Sequence, residues 1–448
     1  MLCAIQLEIL VRELDGILYQ TLHLAANGLP TLLGDRMVNE YINNGNAPLI
    51  YFDSDQQEAT NSHVLKNDGV VINLNCEGQG FADDPIDMQK NFAKVINHTT
   101  QICLWGDRQK EMLASLIPSS RTDALITTGY PSFDLLQPKF QPFYHNDTIS
   151  KQHGEDYILI NTSFSMFNHE MGFDYYVKML SKMDEWKIYG TPEYQESLRQ
   201  RCDHQEKTAL ALIEVAQVLS RKYPERHIII RPHPGENSSY YSEKVKDHDN
   251  IFVTKKYSAR EWIASAGAVI HHDCTTGMEA MLMGKNVIQF EPYKAIEGSA
   301  LLMTQIGHKS TCVTEVLQNI EHKTLPPDIR QKYLSELAPY LNNINSNAAG
   351  KIAQLAAQFA ESNKQTWLPK PLGLIGQAKC WRKYVSKLLR ARQPGRNGRK
   401  VRYALNKFPR LRKEEVVEKL KRLREVEPEL PEVSVEQLCL NTFLIKPL

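Results

Sequence analysis

The feature that most constrains this chain is a recurring pair of segments: a short, almost wholly apolar run ending in turn residues, then a helix-like stretch. The runs Ala4–Val11, Pro48–Phe52, Val70–Leu74, Gln101–Trp105 and Ala124–Thr128 come first, and Tyr157–Asn161, His227–Arg231, Ala268–Ile270 and Asn286–Phe290 follow. Strand-length apolar runs alternating with helices predict parallel sheets built by crossover connections. Helices are expected over about Gln205–Arg221, Ala259–Ala266, Thr276–Met283 and within Asp328–Ser362; in the first, Ala209, Leu212, Ala216 and Leu219 recur at helical spacing. Gly284 stands where a helix C-terminus favours glycine. The polar stretch Gln137–Gly154, with Pro138 and Pro142, reads as a linker. The expected fold class is α/β: two Rossmann-like domains facing a cleft, residues 1–145 and 155–365, then a basic helical C-terminal tail, 366–448.

The 448 residues, 42% hydrophobic and 23% charged, are enough for two or three domains with their own cores, and they exclude a disordered or fibrous chain. No uncharged apolar run reaches the roughly 18 residues of a membrane-spanning helix. Glu8, Arg12, Glu13 and Asp15 fall where a secretory signal needs an apolar core, so no such signal is expected. Eight scattered cysteines without CxxC spacing argue for a reduced, cytoplasmic chain and against a zinc ribbon.

The net charge of +1 conceals a strong asymmetry. Lys379–Arg424 carries 18 Lys/Arg against three acids, a local charge of +15, which leaves −14 for the rest. Such a segment seeks an anionic partner, whether a membrane leaflet, a nucleic acid or the acidic body of the same protein. Trp381–Arg390 alternates apolar and basic residues at near-helical spacing, as in a helix lying on an anionic inner leaflet. The competing reading packs that helix on the acidic body. Nucleic-acid binding has little aromatic interleaving to support it.

Ligands of open α/β sheets bind beyond the carboxyl ends of strands, so the chemistry is sought there. Arg231-Pro-His233-Pro234 follows a strand at once; Arg and His are donors suited to an anion, and the prolines hold the backbone. The bland alternative is a strand end with a surface arginine. His271-His-Asp-Cys-Thr275-Thr276-Gly-Met-Glu279 follows another strand and opens a helix, where Thr275 or Thr276 would cap and Glu279 would complete a capping box. Free amides at that helix start favour an anion, although plain capping explains the threonines too. The adjacent histidines would point oppositely on a strand, which argues against a metal site. Glu77, in Asn75-Cys76-Glu77-Gly78, is a candidate general base after the strand Val70–Leu74, against a plain turn. Glu8 and Arg12 either line the cleft or flank the first helix, and Trp105-Gly106 and Gly129–Asp134 read as turns after strands.

The segments EILVRELDG (8–16), LLGDR (32–36), NCEG (75–78), LWGDRQKE (104–111), TGYPSFD (128–134), ILINTSF (158–164), RPHPGEN (231–237) and HHDCTTGMEA (271–280) together resemble the bacterial surface carbohydrate biosynthesis proteins of the GT-B glycosyltransferase type. The HP motif with a later Ser/Thr pair is also similar to sialyl-, polysialyl- and Kdo-transferases and to teichoic-acid glycerophosphotransferases. The resemblance implies that His233, Thr275 and Thr276 hold the phosphate of a cytidine nucleotide, with Arg231 assisting. Related proteins often carry two acids before the glycine; here Cys76 takes one place, so the base role rests on Glu77. The resemblance does not extend to the basic tail. It implies transfer of a CMP-activated Kdo- or sialic-acid-like sugar to a lipopolysaccharide or capsule acceptor, lipid-linked or oligosaccharide, with no metal or other cofactor. A CDP-glycerol-type glycerophosphotransferase, a nucleotide-sugar epimerase and a non-enzymatic nucleotide-binding scaffold are the rival expectations.

Overall fold

Six parallel strands from the first third of the chain pair in the order β2-β1-β3-β4-β5-β6. They are β1 (Leu2–Gln6), β2 (Thr31–Gly34), β3 (Leu49–Asp53), β4 (Val70–Asn73), β5 (Gln101–Leu104) and β6 (Leu125–Thr127). The computed structural model describes residues 1–54, 57–74, 96–180, 191–294, 304–362 and 367–448. The expected strand Ala4–Val11 is shorter: β1 ends at Gln6, and Leu10–Ala26 is a helix. The Glu8 amide donates to the Glu13 carboxylate at 2.8 Å, so the chain turns there rather than continuing extended.

A second sheet holds β7 (Tyr157–Asn161), β8 (Ile228–Arg231), β9 (Ile251–Val253), β10 (Ala266–His271), β11 (Asn286–Phe290) and β12 (His308–Ser310). All its pairs are parallel, in the order β12-β11-β10-β7-β8-β9. Counted from its own first strand, that is the doubly wound dinucleotide-fold order 3-2-1-4-5-6, whose reversal point lies between β7 and β10. Ile158, Ile160, Ile228, Ile230, Ala268, Ile270, Ile288 and Phe290 share one core with helices Pro192–Lys222, Ser239–Val245 and Val313–Asn319. Each intervening residue therefore faces the other side of the sheet.

Packing divides the chain into Met1–Leu135 with Ala338–Leu448, and Leu136–Leu337. Residues 338–362, expected in the second domain, thus belong with the first. The reason is local: the buried Asp134 carboxylate accepts from the amides of Ala348 and Ala349 at 3.0 and 2.8 Å and so caps helix Ala348–Glu361. The expected linker is folded instead. Short helices over Pro138–Phe140, Gln141–Tyr144 and Asp147–His153 bury Phe140, Phe143, Tyr144 and Ile149.

The tail is helical over Leu374–Ala391, Gly395–Lys407 and Lys413–Val426, but it closes with two strands that the helical expectation lacks. These are β13 (Val433–Cys439) and β14 (Thr442–Pro447); they form a hairpin, and β14 pairs antiparallel with β2.

Candidate functional site

The site is built at the reversal point of the second sheet. Register sets four polar residues side by side: Gln289 opposite His271, His271 opposite Asn161, and Asn161 opposite Arg231. All four face away from the aliphatic core, and together they form a polar row across the carboxyl ends of β11, β10, β7 and β8. Gln289 Oε1, His271 Nδ1, both amide atoms of Asn161 and Arg231 Nε are buried without a hydrogen-bond partner among the described residues. Leaving one such group unpaired costs about 1–3 kcal/mol, so several in register at one sheet edge call for an explanation.

His271 shows how tightly the row is set. Its Nε2 lies 2.7 Å from the Ile306 carbonyl, which fixes the proton on Nε2 and leaves Nδ1 as a bare acceptor. Burial, against the help of that carbonyl, holds its pKa down to about 4. A Cβ at Gly277 would stand 2.1 Å from the ring, so only glycine lets helix Thr276–Leu282 lie so close.

Beyond β8, the Pro232–Asn237 loop is held by one carboxylate. Glu236, with no solvent exposure, accepts from Thr162 Oγ1 and the Phe164 amide at 2.9 Å, from the His233 amide at 3.3 Å, and from the Tyr241 hydroxyl. Lys255 donates to the Glu236 carbonyl. The end of β7 is thereby tied to the His233 loop. On its other side the Ser163 hydroxyl donates to the His272 carbonyl at 2.6 Å, which ties β7 to the segment after β10.

His233 is an exposed residue of this loop. The Gly235 amide donates to its Nδ1 at 3.2 Å, so Nε2 carries the proton outward. Partial desolvation, then Arg231, Lys255 and His169, hold its pKa down to about 4, and the ring is a neutral donor at physiological pH. Arg231 is half-buried and donates from Nη2 to the Tyr257 carbonyl at 3.1 Å. Burial lowers its pKa, and Cys274 and Glu279 act against that, which brings the β8 loop and the start of helix Thr276–Leu282 into one electrostatic neighbourhood. Asp273 and Tyr257 have φ of 45° and 61°, a strained left-handed backbone of the kind that gathers at functional sites.

The second motif departs from its expected roles. Thr275 is half-buried and makes no side-chain cap, and the Thr276 hydroxyl donates to Cys274 Sγ at 3.1 Å. Glu279 completes no capping box; it receives Nε and Nη2 of Arg260, each at 3.2 Å. A guanidinium only 9% exposed requires a partner, and that need outweighs a cap. The capping box lies instead at Ser258–Glu261, before helix Ala259–Ser265. His271 and His272 do point apart: His272 Nδ1 meets the Phe290 carbonyl at 2.8 Å, and its ring stacks on Phe164.

Of the remaining candidates, Pro234 is exposed in the His233 loop. Glu8 and Arg12 lie in the first unit, just beyond β1. Glu8 pairs with Lys407 at 3.4 Å, and Arg12 Nη2 reaches Glu13 at 3.2 Å. Glu77 and its neighbours Asn75–Gly78 lie outside the described residues. Sequence reasoning missed Asn161 and Glu236. The signal for Asn161 was present, as a lone amide closing the apolar run Tyr157–Ile160; Glu236 gave none, because an acid in a Pro/Gly loop looks like any turn residue.

No family model matches the chain, and no curated protein does. Among solved structures, the wall teichoic acid polymerase TagF aligns over 82% of this chain and 90% of its own, at 10% identity and a TM-score of 0.49. UDP-GlcNAc 2-epimerase from Neisseria meningitidis, bound to UDP-GlcNAc, aligns over 81% and 99% at 13% identity and a TM-score of 0.43. A Listeria monocytogenes protein described as a putative UDP-N-acetylglucosamine 2-epimerase aligns over 83% and 99% at 12% identity and a TM-score of 0.47. The strand orders above are the chain's own and stand independently of these likenesses.

Proposed function

We propose that this chain is a nucleotide-sugar-dependent glycosyltransferase of the GT-B type, building a bacterial surface glycan in the cytoplasm. Its preferred donor is a CMP-activated Kdo- or sialic-acid-like sugar, and its acceptor a lipid-linked or oligosaccharide glycan. One observation carries the reading: unspent polar capacity is concentrated at the reversal point of a dinucleotide-order sheet. The Asn161 side-chain amide, His271 Nδ1 and Arg231 Nε have no partner among the described residues, and His233 offers a proton at the same edge.

The row changes character along its length, and so would its ligand. Toward β11 and β10 it ends in acceptors, Gln289 Oε1 and His271 Nδ1; toward β8 it ends in a guanidinium donor. Sugar hydroxyls suit the first end and a phosphate the second. In sugar transfer the phosphate leaves and negative charge grows on it. Arg231 supplies a fixed positive charge there, and His233 Nε2–H a neutral hydrogen bond, in positions set before reaction by Glu236 and Tyr257. Thr275 would add a hydroxyl donor, and Thr276 would add one by turning its proton away from Cys274 Sγ. Glu77 would take the proton of the acceptor hydroxyl. These donors do the work otherwise given to a metal.

Thermal-shift titration with CMP, CDP, UDP and GDP tests this. A nucleotide at a hundredfold excess over its Kd stabilises by about 2.7 kcal/mol. The expected outcome is a cytidine response that His233→Ala abolishes. A shift with UDP alone would move the reading to a UDP-sugar enzyme such as an epimerase, and silence from all four would leave a non-enzymatic chain.

A further inference from the structure

Helix Leu374–Ala391 buries none of its side chains. Leu374, Ile375, Trp381, Val385, Leu388 and Leu389 are 88, 76, 40, 45, 39 and 58% exposed. At 100° per residue these six fall on one side of the helix. Lys379, Lys383, Lys387 and Arg390 lie toward the opposite side, and Arg382 falls within the stripe, between Leu389 and Ile375 in angle. The face that meets the rest of the unit is a third one, where Gly376, Gln377, Cys380, Tyr384 and Ala391 are half-buried. The apolar stripe is thus left outside the packing of its own unit.

The helix is held in place nonetheless. Just before it, the Leu372 amide donates to the Leu438 carbonyl at 3.0 Å, which fixes its start to β13. At its end, Arg402 of helix Gly395–Lys407 donates to the Ala391 carbonyl at 2.5 Å. The Arg410 guanidinium lies 4.7 Å from the centre of the Trp381 ring. From Leu372 to Lys413 the chain carries fourteen Lys/Arg and not one Asp or Glu.

We propose that helix Leu374–Ala391 lies flat on a bilayer surface rich in anionic lipid, with the six-residue stripe among the acyl chains and the basic residues among the headgroups. Charge complementarity and the stripe together select this occupant. A nucleic acid would satisfy the cations but leave three leucines and an isoleucine in water. A neutral protein groove would satisfy the leucines but leave the exposed Lys379, Arg382, Lys383, Lys387 and Arg390 unanswered. An interfacial helix needs a fixed apolar face of this kind, opposite a Lys/Arg-rich face. The inference is independent of the nucleotide site, which lies in the other unit.

The test is co-sedimentation of the full chain with phosphatidylcholine vesicles, with and without phosphatidylglycerol. Binding is expected only with phosphatidylglycerol. Each of Lys383→Ala and Lys387→Ala should lower partitioning about fivefold. The double change Leu388→Ser with Leu389→Ser should lower it more than about tenfold. All four side chains are exposed, so the thermal unfolding midpoint should be unchanged in each variant. Equal binding to both vesicle types overturns the proposal. So does full binding by the serine variant, or displacement of vesicles by single-stranded RNA with the leucines indifferent.

Discussion

A buried histidine that cannot take a proton links the site to stability. His271 holds a folded-state pKa of about 4, whereas an unfolded chain takes that proton near the ordinary 6.5. Between those values the unfolded state binds more protons, so stability falls as the pH drops through the window. From pH 7 to 5 this amounts to about 2 kcal/mol. Asp134, pushed up to about 6 by burial, works the other way in the first unit: its folded form keeps a proton the unfolded chain sheds. Urea unfolding of the transition that includes the second unit should lose stability between pH 7 and 5. His271→Gln, which keeps a donor for Ile306 and cannot titrate, should reduce that loss by about 2 kcal/mol and leave the share of His233, likewise held down to about 4; an identical slope in both proteins would contradict the assignment. At this scale the sequence was only partly legible. Arg231 and His233 announced themselves as polar residues directly after an apolar strand. Asn161 drew no notice because its importance comes from register, a relation among three strands distant in sequence. Glu279 was misread because its partner Arg260 is 19 residues away, while the capping pattern is local.

Elements that bury both faces were the legible ones. β3, β7 and β8 are apolar up to their last residue, as a parallel strand covered on both sides tends to be. β12, His308–Ser310, has no apolar residue to mark it, and β9 is three residues of which two are only half-buried. β13 alternates weakly and follows three basic helices, so it passed for tail. Yet β14 buries Phe443, Leu444 and Ile445 while covering the β2 edge. Removing residues 433–448 should cost roughly 5 kcal/mol or more from these side chains. It should also leave a sheet edge open to self-association. Unfolding midpoint and light scattering of the shortened chain would show both effects. A shortened chain as stable and as monodisperse as the full one would mean that the hairpin adds nothing to the sheet.

For the whole molecule, the charge asymmetry divides between two destinations. Lys419 pairs with Asp15 at 2.8 Å and Lys407 with Glu8, so part of the basic segment neutralises acids of its own unit. Helix Leu374–Ala391 keeps its cations exposed beside an exposed apolar stripe. The packing reading thus holds for Lys407 and Lys419, and the membrane reading of helix Leu374–Ala391 is the proposal made above. The central claim remains the phosphate-binding edge of the second sheet. Phosphorus-31 NMR of CMP tests it most directly, because it observes the proposed contact atom. Adding the protein should shift and broaden the resonance, and Arg231→Gln and His233→Ala should each remove most of the effect. A resonance unmoved by the wild-type chain, or moved as far by both variants as by the wild type, would contradict the account.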